Sequence, residues 1–182
     1  MKTILAFLTL LTFSLPSLAG ADKDRKEILE ESNEILQRLY KEQPETKAKV
    51  AKAVGYATFS NIGVNVIFVS AGGGKGVVHS NKTGKNTYMK MGTVGVGIGL
   101  GVKDFRAVFI FHEEDAMNDF IEKGWDFSGQ ADAAAKSGKK GAEGSTAGTI
   151  INGVSVYQMT ETGLALQATL QGTKYWKDSK LN

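Results

Sequence analysis

Apolar residues recur at helical spacing over residues 22–43, where Ile28, Leu29, Ile35, Leu36, Leu39 and Tyr40 share one face and charges occupy the other. The pattern predicts an amphipathic helix. Its polar face holds five basic and seven acidic residues, whereas a helix lying on a membrane surface is rich in Lys and Arg. Packing against a core is the better reading. Pro44 can open a second short helix reaching Ala53, with Thr46, Ala48, Val50 and Ala51 as its weak pattern.

From Gly55 the period changes to two and the chain reads as successive strands: 56–59, 64–70 and 76–80, then the turn Asn81-Lys82-Thr83-Gly84 and a partner strand 87–91. A further strand, 105–111, precedes a helix over 113–123 that Gly124 ends. Glu113, Glu114 and Asp115 sit in the first turn of that helix, where carboxylates favour the positive end of its dipole. A glycine- and lysine-rich loop over 137–148 leads to a closing hairpin, 154–159 and 164–170, with its turn at 160–163. In the last strand Leu164, Leu166, Ala168 and Leu170 form an apolar face, and Gln167, Thr169 and Gln171 a wet one.

The run 92–102 stands apart, because Gly95, Gly97, Gly99 and Gly101 alternate with Val94, Val96, Ile98, Leu100 and Val102. In a strand this leaves one face aliphatic and the other without side chains. Each glycine weakens a strand by roughly 0.5–1 kcal/mol relative to alanine. A close neighbour is therefore expected against the bare face: a packed helix, a sharply coiled sheet or the flat part of a ligand.

Lys2, an apolar run over 4–15 and the small residues around Ala19 and Ala21 have the form of a secretory signal peptide, so residues 1–21 are expected to be a leader. Cleavage is expected after Ala19 or Ala21. The apolar run is shorter than the ~20 residues that span a bilayer. There is no cysteine, which excludes disulfides, thiolate metal ligands and cysteine catalysis. About 160 residues follow the leader, enough for one core and too few for two ordinary domains. The expected fold is one α+β domain over 22–182, helical in 22–53 and sheet-rich in 54–182. Its N-terminal helices and one mid-chain helix pack on a strongly curved, mainly antiparallel, barrel-like sheet with the glycine strand near the centre. An outer-membrane barrel fits poorly, given three helices and few long strands.

Ala53-Val54-Gly55-Tyr56-Ala57, Gly72-Gly73-Gly74-Lys75-Gly76-Val77, the alternating glycines, Gly124-Trp125, Val156-Tyr157 and Gly163-Leu164 together resemble the SYLF domain. The resemblance covers roughly residues 48–176. It implies lipid binding: eukaryotic members bind phosphoinositides and some are linked to actin patches, while bacterial members are exported. The chain has Tyr88-Met89-Lys90 where the eukaryotic pattern has tryptophan-serine-x-proline. Residues 138–144 also lack the glycine-proline-x-glycine-arginine found there. Phosphoinositide selectivity and actin binding are therefore not carried over.

Between Thr46 and Lys103 there are eight lysines and no acidic residue, whereas residues 113–132 hold seven carboxylates and only Lys123. Either the basic block faces an anionic surface, each lysine contributing about 1 kcal/mol of attraction, or the two blocks neutralise each other across the sheet. Lysine outnumbers arginine 19 to 3, which suits diffuse attraction to headgroups better than bidentate readout of bases. No nucleic-acid partner is expected.

Catalytic motifs fail on inspection. The stretch 76–83 imitates a phosphate-binding loop, but Asn81 replaces the glycine before lysine and the context reads as a hairpin. The glycines do not satisfy G-x-G-x-x-G, and Gly144-Ser145-Thr146-Ala147-Gly148 lacks the spacing of a nucleophile elbow. The carboxylates after His112 are accounted for by the helix dipole rather than by a metal. Trp125 reads as core. Tyr175-Trp176, flanked by Lys174 and Lys177, suits either the end of the sheet or a membrane interface. The expected protein is a non-enzymatic, cofactor-free periplasmic module that binds anionic phospholipid through Lys75, Lys82, Lys85, Lys136, Lys139, Lys140, Lys174 and Trp176. The competing expectations are a structural or stress-response protein acting through a protein partner, and an enzyme with an unrecognised site.

Overall fold

Helical periodicity gives way to alternation at Gly55, and the architecture changes there too. The computed structural model describes residues 18–61, 73–93, 105–126, 149–151, 153–160, 163–164 and 173–182. Helices α1 (Leu18–Glu42) and α2 (Glu45–Lys52) precede strands β1 (Gly55–Ser60), β2 (Gly73–Ser80), β3 (Asn86–Thr93) and β4 (Arg106–Phe111). Helix α3 (Glu114–Glu122) follows, then β5 (Trp125–Asp126), β6 (Thr149–Ile151), β7 (Val154–Thr160), β8 (Gly163–Leu164) and β9 (Thr173–Lys177). The strands lie in the order β5-β9-β3-β2-β1-β4-β7-β6, with β8 on β7, and form an antiparallel, curled half-barrel. This is the expected α+β class.

Alternation assigns each strand residue to one of two faces. On the inner face Ala57, Phe59, Met89, Met91, Ala107, Phe109, Phe111 and Tyr175 form one cluster with Met117 and Phe120 of α3 and with Trp125. On the outer face Val108, Ile110, Tyr157 and Met159 receive Ile35, Leu36 and Leu39 of α1 and Val50 of α2. Further along that face Val77 and Tyr88 receive Ile28 and the C-terminal Leu181. The helices predicted to pack on a core do so, on opposite sides of the sheet. A buried hydrogen bond from Thr58 Oγ1 to Ser32 Oγ, 2.7 Å long, fixes α1 against β1.

Phe120 is the hub of the inner cluster. Its ring lies 5.1 Å from Phe109, 5.2 Å from Phe111, 5.6 Å from Trp125 and 5.8 Å from Tyr175. The strand beside it makes room: a Cβ on Gly76 would stand 2.2 Å from the Thr58 carbonyl oxygen and 2.3 Å from Cδ1 of Phe59. Gly124 ends α3 as expected, with φ +73°, a conformation that L side chains disfavour.

Two differences from the sequence reading have local causes. Helix α1 begins at Leu18 rather than at residue 22, and Ala21 packs on the cluster of Ile28, Val77, Tyr88 and Leu181. Cleavage after Ala19 would keep that contact and cleavage after Ala21 would remove it. Strands β5, β6 and β9 were not expected, because each is five residues or fewer, too short to establish a period. The expected strand over 64–70, all but Leu164 of the strand expected over 164–170, residues 94–102 of the glycine strand and the loop 137–148 lie outside the described residues.

Trp125 and Tyr175 face each other across β5 and β9. Both are buried, and neither the indole Nε1 nor the phenol oxygen has a hydrogen-bond partner among the described residues. Burial pushes the Tyr175 hydroxyl far above the usual phenol range. The folded protein therefore resists ionisation that the unfolded chain undergoes near pH ~10. Stability from this group is present below that pH and is lost as pH rises above it. Tyr175→Phe should leave stability at pH 7 unchanged or higher, since it removes an unpaired polar atom, and should reduce its alkaline decline, as followed by urea unfolding from pH 7 to 11. Phe109→Ala should cost about 3–5 kcal/mol in the same assay at pH 7.

Candidate functional site

The pairing of β2, β3 and β9 sets Lys75, Lys90 and Trp176 in one row, with Gly73, Gly92 and Lys174 in the next. The larger side chains of these rows lie on the outer face, the side that carries α1. Two lysines directly opposite each other repel, and each has a carboxylate at hand. Lys75 Nζ is 3.4 Å from Asp24 of α1, and Lys90 Nζ is 3.2 Å from Asp178. Lys174 Nζ lies 3.2 Å from Asp126.

These pairs are not equivalent. The Asp178 side chain is only 5% exposed and also accepts the Lys180 backbone N–H at 2.9 Å, so Lys90 is anchored. Lys75 and Lys174, at 43% and 55% exposure, pair with aspartates that are themselves 44% and 43% exposed. Exposed pairs of this kind contribute ~0–1 kcal/mol. Either ammonium can exchange its aspartate for another anion at little cost.

Trp176 is 44% exposed, and the edge of its indole meets Gly92. A Cβ at Gly92 would stand 2.8 Å from Cη2 and 3.2 Å from Cζ3 of the ring. Its neighbour Tyr175 points the other way into the core, 1% exposed. The Tyr175-Trp176 pair thus divides: one ring closes the sheet and the other is offered to solvent among lysines. Trp125 is core, as read from the sequence.

The remaining candidates lie elsewhere. Lys82 and Lys85 belong to the β2–β3 turn, about 16 Å along the strand from Lys75 at the usual rise per residue. Lys82 reaches the opposite layer, where its Nζ is 3.1 Å from Glu114 of α3. Lys85 is exposed and makes no ion pair among the described residues. Lys136, Lys139 and Lys140 lie outside the described residues. The structure therefore brings together Lys75, Lys174 and Trp176, adds Lys90, and separates them from the hairpin turn. Lys90 could have been found from the sequence, because a turn at residues 81–84 sets it opposite Lys75.

The two charge blocks meet at Lys82–Glu114, while Lys75 and Lys90 find partners outside the acidic block. The stretch that imitates a phosphate-binding loop is strand, turn and strand. His79 Nδ1 is 2.7 Å from Asn86 Oδ1, and His112 Nε2 is 2.7 Å from Ser155 Oγ.

Two comparisons bear on this chain. Residues 92–182 match the family model described as Ysc84, Las17-binding protein actin regulator. Beta cell expansion factor A of Aeromonas veronii is 33% identical over 177 residues, an alignment covering 90% of this chain and 66% of that relative. The chain thus spans about two thirds of the length of the curated relative it matches.

Gly92→Ala should displace the Trp176 ring, since the added methyl would stand where the indole lies. In a Trp125→Phe background, emission should move to longer wavelength and acrylamide quenching should increase. An unchanged spectrum would contradict the contact of the ring edge with Gly92.

Proposed function

Because the chain belongs to the Ysc84 family of SYLF domains, we propose that it is a non-enzymatic module that adsorbs to anionic phospholipid through the outer face of β2, β3 and β9. The observation that carries the proposal is Trp176, exposed and set with the Cη2–Cζ3 edge of its indole against Gly92 among Lys75, Lys90 and Lys174. An indole with one apolar face and a polar N–H suits the headgroup boundary of a bilayer. Lysines beside it reach phosphates while their stems cover apolar surface. Lys75 and Lys174 supply the exchangeable charge, and Lys90, held by Asp178, supports the row. Lipid binding is also what the family resemblance implies. The leader-like residues 1–21 extend the proposal to a place of action outside the cytoplasm.

The family model's description speaks of actin regulation. The two departures from the eukaryotic pattern, at 84–91 and 138–144, leave actin outside this proposal. Lys82 and Lys85, on the opposite layer, are secondary to it.

Flotation with liposomes of neutral lipid and of rising phosphatidylglycerol or cardiolipin content tests the reading. Binding should rise with anionic fraction and fall with salt. At about 1 kcal/mol per lysine, Lys75→Gln with Lys174→Gln should weaken it roughly thirtyfold, and Trp176→Ala should weaken it further. Absence of binding to every composition overturns adsorption. Loss of binding in Lys82→Gln with Lys85→Gln, but not in the outer-face variants, overturns the placement.

A further inference from the structure

On the opposite layer, a groove of about 220 Å³ runs between α3 and the β2–β3 hairpin. Val78, Met117 and Ile121 give it an apolar floor. Two carboxylates of its lining are paired: Glu114 with Lys82, which stands just outside the lining, at 3.1 Å, and Glu122 with Lys177 at 3.3 Å. Those four charges cancel pairwise. Between them the lining contributes hydrogen-bond donors and one further charge, the ammonium of Lys85, which has no counterion among the described residues.

The hydroxyls are arranged to donate. Ser80 Oγ accepts the Thr83 backbone N–H at 3.3 Å, and Thr83 Oγ1 accepts the Lys85 N–H at 3.3 Å. Each keeps its own hydrogen free. Thr87, only 5% exposed, lines the groove, and its hydroxyl bonds to no described residue. That hydroxyl opens onto the groove, where a ligand oxygen can accept from it in place of water.

We propose that this groove binds a small organic monoanion, a carboxylate on a short aliphatic chain. The carboxylate is held by Lys85 with the hydroxyls of Thr87, Ser80 and Thr83, and the chain lies on Val78, Met117 and Ile121. The volume is below the ~300–1,000 Å³ of sites for drug-sized ligands, which limits the occupant to a few carbons. Among the described residues Lys85 is the one unpaired charge of the lining, which favours one negative charge over two. The floor favours an aliphatic body over a bare ion. This inference is independent of membrane adsorption, which uses the other side of the sheet.

The test is titration of ¹⁵N-labelled protein with hexanoate, hexanol and acetate, followed by amide chemical shifts. Hexanoate should give saturable shifts confined to residues 78–87, 114–122 and 177, with hexanol and acetate at least tenfold weaker. Lys85→Gln should weaken hexanoate about tenfold, as expected for losing a charge-assisted contact. Thr87→Val should weaken it severalfold, and Lys75→Gln on the far face should change nothing. Equal binding of hexanol removes the anion from the account, and equal binding of acetate removes the floor. No saturable shift, or shifts that survive Lys85→Gln unaltered, overturns the site. The wild-type shift map stands alone as a readout if a variant fails to fold.

Discussion

The arrangement depends on a close approach: β2 must offer bare backbone where the aromatic side chain of its neighbour lies down. At Gly76 any side chain would meet the Phe59 ring and the Thr58 carbonyl. Phe59 in turn lies 4.6 Å from Tyr175 and 5.8 Å from Phe109, and these rings surround Phe120 and so seat α3. The cost of glycine in a strand, roughly 0.5–1 kcal/mol against alanine, is offset by burial of a whole ring, of order 1.5–3 kcal/mol. The position of α3, and with it the groove beside the hairpin, follows from that contact.

The outer face uses the same device for another end. Gly92 lets the edge of the Trp176 indole approach the backbone, and among the described residues the ring stays half in solvent. Cross-strand register sets lysines around it, and their exposed aspartate partners hold them weakly. Inside, a ring against glycine builds a core; outside, a ring edge against glycine builds a surface that is apolar in the middle and cationic at its rim. Such a surface is suited to a boundary between hydrocarbon and anionic headgroups.

Much of the fold was legible because long periodic segments declare themselves. Ile35, Leu36 and Leu39 at helical spacing locate the buried stripe of α1, and the turn 81–84 fixes the pairing of β2 with β3. The short strands were not legible: β9 has five residues, and its alternation is informative only once β3 lies beside it. The site was legible in residue type more than in place. Lysine counts point to a basic surface, but sequence distance says nothing of layer, so Lys82 was grouped with Lys75 although the sheet stands between their partners, Glu114 and Asp24. The donors Ser80, Thr83 and Thr87 escaped because lone hydroxyls carry no spacing signal.

The most direct test of the account is the depth of each tryptophan at a membrane. In single-tryptophan variants, Trp125→Phe and Trp176→Phe, emission is read on anionic vesicles whose acyl chains carry bromine at a defined shallow position. The account requires Trp176 to be quenched and Trp125, buried beneath Phe120 and Phe109, to be unaffected. Quenching of Trp125 with Trp176 untouched, or of neither ring on vesicles that carry bound protein, would contradict it.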